Sequence, residues 1–445
     1  MSSARELAIE ILARVRATDA YLNVVLDTQL AESPPKDPRD AGLVTELCYG
    51  ATRRQLALDQ ALLQFADRKL DQIEDRVLAA LRIGAYQLFY SRVPRHAAVG
   101  ETVQALKALK LERATGFVNA LLRKLSTLEA PPLPPVANLA HHLSIRESHP
   151  QWLVERWLRQ FGPERAEQML VADNLAPPVS VRANSSRVTR EGLLAQLREA
   201  GLAAEPCGTS PVGVVLPSAG RLDALFGFSE GLWQVQDEAA QLVTVFAQVG
   251  KGGTVLDVCA APGGKSCHLA EAHSVLALDL HPAKLRKLVK EAQRLGLMGK
   301  IKTLAHDARE PLPEGLGPFD AVLVDAPCTG LGTLRRHPEL RYRRVEQDIA
   351  RLAGLQREIL ERAQEHVVAG GLLVYSVCSV DPQEGQDQVE MFLRSHPDFT
   401  TEAPTLPPEV KLPLWQGNLR TLPGAEGFDG FFAARLRRMF LKDAR

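Results

Sequence analysis

The chain changes its hydrophobic rhythm near residue 130. Before that point apolar residues recur at three- and four-residue spacing: Leu78, Leu81, Ala85, Leu88 and Phe89, then Val99, Val103 and Leu106, then Phe117, Leu121 and Leu125. This is the period of helices that bury one face, and Pro34-Pro35 and Pro94 punctuate between them. Residues 1–128 are expected to form an all-α bundle. Pro131-Pro132-Leu133-Pro134-Pro135 marks a linker across 129–148. Then His149-Pro150-Gln151-Trp152-Leu153 opens an amphipathic helix, the alternation from Pro177 to Asn184 predicts a strand, 191–200 a helix and 212–216 a strand. That order makes 149–245 a small α+β module. From 246 to 445 strands and helices alternate, with strands expected near 254–258, 275–279, 301–305, 321–325 and 371–376 and a final hairpin strand over 430–436. Repeated βα units imply an α/β, parallel-rich, doubly wound sheet.

Composition changes this picture little. Among 445 residues, Lys+Arg and Asp+Glu both number 53, so no global charge draws the chain to nucleic acid and any such contact must be local. The densest basic strip, Arg335-Arg336 with Arg341, Arg343 and Arg344, suggests a phosphate track or else a solvated helix face. Arg53, Arg54, Lys107, Lys110, Arg113, Arg123 and Lys124 read as solvated faces of the bundle. Six cysteines without a C-x-x-C pair argue against a zinc site and a disulfide framework, and unpaired thiols suit a reducing cytoplasm. The N-terminus does not read as a signal peptide, and no apolar run is long enough to span a bilayer.

The chemistry gathers around Leu256 to Ser266. An apolar run breaks into a new periodic segment through Cys259-Ala260-Ala261-Pro262-Gly263-Gly264-Lys265. That is a buried strand entering a helix through a loop nearly free of side chains, where a ligand can meet bare backbone. A second apolar run ends in Asp279, placed to hold a ribose hydroxyl pair. A phosphate-binding loop would need glycine where Cys259 stands, and G-x-G-x-x-G is missing. Further strand ends carry His306-Asp307-Ala308-Arg309, Asp325-Ala326-Pro327-Cys328-Thr329-Gly330 and Tyr375-Ser376-Val377-Cys378-Ser379. Asp307 could accept from an adenine amino group or cap the following turn. A lone buried thiol is usually a small hydrophobe; two, Cys328 and Cys378, at neighbouring strand ends suggest a reactive pair.

The run from Cys259 to Lys265 resembles the cofactor loop of the RNA cytosine-5 methyltransferases, which bind S-adenosylmethionine. Asp40-Ala41-Gly42-Leu43 with Cys48-Tyr49-Gly50-Ala51-Thr52-Arg53-Arg54, and the runs from Ala80 to Leu88 and from Gly116 to Arg123, resemble the NusB-like RNA-binding domain. The Pro177-Pro178…Arg182…Asn184 phrase resembles the segment before the catalytic domain, and 231–241 its lead-in helix. In this order the pieces are similar to the bacterial 16S ribosomal-RNA cytosine-5 methyltransferases of the Sun/Fmu (RsmB) type. The resemblance implies an N-terminal NusB-like bundle, a small α+β module and a C-terminal Rossmann-like methyltransferase, with S-adenosylmethionine as cofactor.

It also implies roles. Cysteine addition at C6 of the cytosine makes C5 nucleophilic enough to take a methyl group. By resemblance Cys378 is that nucleophile, and Cys328 assists proton removal and product release. Asp325 supports the cytosine N3/N4 edge, and Lys265 orients Asp325. The cofactor would meet Cys259, Ala260, Ala261, Pro262, Gly263, Gly264, Lys265, Asp279, Asp307 and Asp325. DNA enzymes use the Pro-Cys thiol as nucleophile, so the reverse assignment stays open. Val377 replaces the family's usual Thr. The target would be a cytosine of 16S rRNA, in naked or early-assembly RNA, that can be flipped out, and the enzyme a monomer without metal, not membrane-bound. Three alternatives remain: a non-catalytic RNA-binding assembly factor, a cytosine-5 methyltransferase of another RNA, and a nucleotide hydrolase using Lys265-Ser266.

Overall fold

The computed structural model describes residues 2–440, apart from 19, 36, 218–219 and 425–426. By contacts the chain divides into two units, residues 1–176 with 334–344, and 177–333 with 345–445. Among the described residues no helix is long and apolar enough to cross a membrane.

The first unit is helical: α1 (Ala4–Ala17), α2 (Leu22–Glu32), α3 (Pro38–Arg53), α4 (Gln55–Leu63), α5 (Asp75–Tyr90), α6 (Arg95–Ala108), α7 (Glu112–Leu125), α8 (Leu139–Arg146) and α9 (Gln151–Ala172). The apolar stripes read from sequence form its core. Leu78, Leu81 and Ala85 pack with Leu106, Leu121 and Leu125 and with Ile9, Ile11 and Leu47. Lys107, Lys110, Arg113, Arg123 and Lys124 face solvent. Arg53 and Arg54 do not. Arg54 donates to the Glu147 carboxylate (3.1 Å) and Arg53 to the Arg335 carbonyl (2.9 Å). The helix opened by Pro150 bends at Gly162, whose φ of 76° interrupts α9 ahead of Pro163.

The second unit begins with an antiparallel sheet in the order β2-β3-β1-β4. Its elements are β1 (Val179–Ala183), α10 (Arg190–Glu199), β2 (Glu205–Pro206), β3 (Gly213–Leu216) and β4 (Trp233–Val235). The stretch expected as a lead-in helix from 231 is corrected here. Its alternating Trp233-Gln234-Val235 adds a strand to β1, and the helix α11 (Glu238–Ala247) starts only where the Asp237 carboxylate caps the Ala239 N–H (2.9 Å).

A mixed nine-stranded sheet follows. Its elements are β5 (Thr254–Asp257), α12 (Gly264–Ala270), β6 (Ser274–Asp279), α13 (Pro282–Leu295), β7 (Ile301–Ala305), β8 (Phe319–Asp325), α14 (Leu340–Arg343, in the helical unit), α15 (Gln347–Ala363), β9 (Val367–Val377), α16 (Gln386–Ser395), β10 (Phe399–Thr401), β11 (Leu414–Trp415), β12 (Asn418–Thr421) and β13 (Phe431–Arg438). The order is β11-β12-β13-β9-β8-β5-β6-β7, with β10 on β13. Strands β7, β6, β5, β8 and β9 run parallel, and β13 closes antiparallel on β9. Strand order reverses between β5 and β8, and such a switch point opens a crevice at the strands' carboxyl ends.

A buried cation ties the small sheet to this one. Arg182, fully buried, pairs with Glu271 at the end of α12 and donates to Gln236 (2.8 Å) and Gln234 (2.9 Å). Removing one partner of a buried ion pair strands the other charge. Arg182→Met is therefore expected to destabilise the chain by about 3–5 kcal/mol. Chemical denaturation of Arg182→Met, Glu271→Gln and the double variant checks this: the double should cost less than the sum.

Candidate active site

The site forms where β5, β8 and β9 end side by side. Register pairs Asp257 with Leu323, and Asp325 with Ser376, so the loops after these strands leave from neighbouring points. Cys328 and Cys378 sit on two of them, with Sγ atoms 3.1 Å apart. The Cys378 sulfur and burial both push the Cys328 thiol well above its ordinary pKa. Either sulfur can donate to the other across this contact.

Asp325 ends β8, three residues before Cys328. It accepts from the Lys265 ammonium (2.7 Å) on one oxygen and from the Ser376 hydroxyl (2.7 Å) on the other. Burial opposes the charge on Lys265, but the Asp325 carboxylate more than offsets it and raises the ammonium pKa. The Lys265 ammonium also lies 5.2 Å from the centre of the Phe431 ring. These contacts hold Asp325 by its two oxygens while leaving its side chain 29% exposed.

The glycine loop runs from β5 into α12. Gly263 has φ 107°, and a Cβ there would lie 2.6 Å from Leu288 Cγ, so only glycine fits. Ala260 is buried; Cys259 and Ala261 are partly exposed. Burial of the thiol, with the Asp257 and Asp325 carboxylates nearby, raises the Cys259 pKa well above its ordinary value. Asp279, at the tip of β6, accepts from the Ala261 N–H (3.2 Å) and the His281 N–H (2.8 Å). Those contacts fix the carboxylate and leave lone pairs for ribose hydroxyls. Asp307 follows β7 and binds Arg309, whose side chain and N–H pull its pKa down to about 2. Bare backbone at 263–264 beside two fixed carboxylates fits an adenosyl cofactor. Asp279 would hold its ribose, and Asp307 would lie on the adenine side.

Sequence reasoning missed the group that locks the two thiol loops together. Glu384 is fully buried. One oxygen accepts from the Thr329 N–H (2.8 Å) and Gln356 (3.0 Å); the other from Ser379 (2.6 Å) and the Thr329 hydroxyl. Burial raises its pKa. No periodicity or spacing marks a residue that reaches across from a loop of its own. Val377 belongs to the apolar cluster with Tyr375 and Phe432, so its side chain points away from the neighbouring Cys378. In this chain a hydroxyl at that position would be buried among hydrocarbons.

A Rossmann-like sheet with a glycine loop after its first strand and an acid after the second is an architecture that binds an adenosyl cofactor. Residues 245–437 match the family model of the 16S rRNA methyltransferases RsmB/F, residues 2–127 the NusB family, and residues 149–223 a ferredoxin-like domain of RsmF/B-like methyltransferases. Ribosomal RNA small subunit methyltransferase B of Pseudomonas putida is 38% identical over 442 residues, covering 97% of this chain and 98% of that protein. The probable ribosomal RNA small subunit methyltransferase B of Bacillus subtilis is 34% identical over 450 residues, covering 98% and 99%. The crystal structure of PH0851 superposes with a TM-score of 0.84 at 25% identity, across 98% of this chain and 99% of that one. The chain belongs to the RsmB/F family of rRNA methyltransferases. It is an RNA methyltransferase, and its methyl donor is S-adenosylmethionine.

One buried carboxyl gives the site a pH signature. Burial raises the Asp257 pKa to about 7, partly offset by the Ser266 hydroxyl (2.6 Å). A carboxyl raised on folding stabilises the fold fully below its unfolded value of about 4. That contribution is lost as pH rises through about 7. Asp257→Asn mimics the neutral form, so its thermal midpoint should fall less than wild type between pH ~5 and ~8. Differential scanning calorimetry across that range checks it; parallel slopes would contradict the assignment.

Proposed function

We propose that this chain methylates C5 of one cytosine in 16S rRNA through a covalent adduct on Cys378. The observation that carries this reading is the thiol pair set against the Lys265–Asp325–Ser376 chain. Two sulfurs 3.1 Å apart cannot both carry charge, so one of the pair serves as nucleophile while the other assists. By its place directly after β9, and by resemblance to the family, Cys378 is the sulfur that attacks.

The Cys378 sulfur bonds to C6 of the flipped cytosine, and the ring electrons shift toward C5. Asp325, aligned by Lys265 and Ser376, supports the N3/N4 edge as N3 takes up a proton from solvent. Bound S-adenosylmethionine supplies the electrophilic methyl that C5 accepts. Cys328, having lost its own proton to solvent, then takes the C5 proton; the S–C6 bond breaks with its electron pair returning to the Cys378 sulfur, N3 releases its proton, and the pyrimidine regains its double bond. This sequence asks Cys328 to give up its proton before it serves as base, and the adjoining Cys378 sulfur, once bonded to carbon, no longer opposes that charge. The cytosine must leave any stack to meet both sulfurs, which favours single-stranded or loop RNA, naked or in an early assembly intermediate. The exposed Lys107, Lys110, Arg113, Arg123 and Lys124 of the NusB-family bundle are suited to phosphate contact. The enzyme would work in the cytoplasm as a monomer.

A denaturing gel of protein with cofactor and 16S rRNA, comparing wild type, Cys328→Ala and Cys378→Ala, tests the roles. Cys328→Ala should accumulate an RNA adduct, and Cys378→Ala should give neither adduct nor methyl transfer. An adduct in Cys378→Ala would exchange the roles. Asp325→Asn should lower kcat by about 10²–10⁴-fold, as expected for a lost proton-handling group, with cofactor affinity read separately by calorimetry.

A further inference from the structure

The arginine strip after Cys328 is engaged inside the fold. Leu334–Arg344 belongs by contacts to the helical unit. There Arg341 donates to the Arg53 carbonyl at the end of α3 (3.1 Å) and to the Asp173 carbonyl that follows α9 (2.6 Å). Arg343 donates to the Val15 carbonyl in the last turn of α1 (2.9 Å). Arg335 and Arg341 are buried, and Arg336, Arg343 and Arg344 are only partly exposed. The strip is therefore neither the phosphate track nor the solvated face that its sequence suggests.

A set of unpaired cations lies instead on α13, in the catalytic unit. Leu285, Leu288, Ala292 and Leu295 bury one face of that helix. Arg286, Lys287 and Lys290 lie on the opposite face, and Lys284, in the first turn, flanks them. All four are exposed, and among the described residues none has a hydrogen-bond or ion-pair partner for its side chain. The first acid of the helix, Glu291, accepts from Arg294 on both oxygens.

This arrangement works against the helix. A helix N-terminus carries partial positive charge and favours acids, yet the first turn of α13 holds no acid and Lys284 stands in it. Lys284 with Lys287, Lys287 with Lys290, and Arg286 with Lys290 are three or four residues apart, so like charges face one another. A face built only for solvent would gain from acids placed among them. Local rules broken on one exposed face, with no compensation inside the fold, point to a ligand that brings the missing negative charge.

The helix also stands beside the chemistry. It starts directly after the tip of β6, where Asp279 lies, and its Leu288 packs on the glycine loop. In the sheet order β6 is two strands from β8, about 10 Å at ~4.8 Å per strand. RNA whose cytosine lies at the thiol pair thus reaches α13 within a few nucleotides. We infer that Lys284, Arg286, Lys287 and Lys290 form a phosphate track that holds the rRNA backbone beside the cofactor loop. The inference rests on rRNA being the substrate and not on which cysteine attacks.

Fluorescence anisotropy of a labelled 16S rRNA transcript that wild type methylates tests the track, with the full chain at ~50–200 mM KCl. Using a methylated transcript keeps failure of the track distinct from failure of the substrate. Each lost phosphate contact on single-stranded RNA lowers the slope of log K against log salt by about 0.7. The triple variant Arg286→Gln, Lys287→Gln, Lys290→Gln should therefore show a slope about 2 shallower and bind about tenfold more weakly at the lowest salt. Its S-adenosylmethionine affinity, read by calorimetry, should not change. Lys284→Glu separates binding from folding: an acid in the first turn, beside Lys287, should raise Tm by about 1 °C while RNA binding weakens. Wild-type affinity and slope in the folded triple variant overturn the inference, and would leave the row to solvent or to an acidic protein partner. If the triple variant does not fold, Lys284→Glu decides alone: a shallower slope supports the track, and an unchanged slope overturns it.

Discussion

Parallel pairing of β8 with β9 is the constraint on which the site depends. Asp325 lies opposite Ser376 in that register, and each strand runs on by only a few residues to its cysteine. A one-residue slip would turn every side chain of one strand to the other face. Tyr375 and Val377 would then leave the apolar cluster on one side of the sheet, and Val374 the cluster on the other. Two hydrophobic cores therefore vote for the register that brings the sulfurs together. Glu384 secures the result from outside the strands, bridging Thr329 and Ser379, the residues that follow the two thiols.

Much of this could be read from the chain. Helical periodicity located the core of the N-terminal unit because its stripes are broad and nearly uninterrupted, and the alternation after residue 246 announced the doubly wound sheet. The glycine loop and the acids at strand ends were legible for a similar reason: their chemistry depends on place along one strand–turn–helix unit. Tertiary partners were not. The Asp325–Lys265 pair spans sixty residues and could be suggested only by resemblance, and Glu384 belongs to no pattern at all. The segment after Gly231 misleads because Trp233-Gln234-Val235 alternates for three residues only, too few to separate a strand from the helix that follows.

The arginine-rich strip is the most instructive misreading. Clustered cations look like a surface for phosphate, yet Arg341 and Arg343 are spent on carbonyls at helix ends. Local charge density in a sequence does not distinguish a phosphate oxygen from a backbone oxygen, since both are acceptors suited to a guanidinium. Burial decides, and burial comes from the fold. The chain's zero net charge, with basic and acidic residues both 53, is consistent with cations used internally as well as outwardly.

The central claim is that Cys378, and not Cys328, bonds to the target base. RNA carrying 5-fluorocytosine tests it most directly, because fluorine at C5 leaves no proton to remove and the adduct persists after methyl transfer. Wild-type enzyme would be trapped with such a transcript and S-adenosylmethionine, digested, and mapped by mass spectrometry. The account predicts the modified nucleotide on the peptide containing Cys378. The same mass on the peptide containing Cys328 would contradict it.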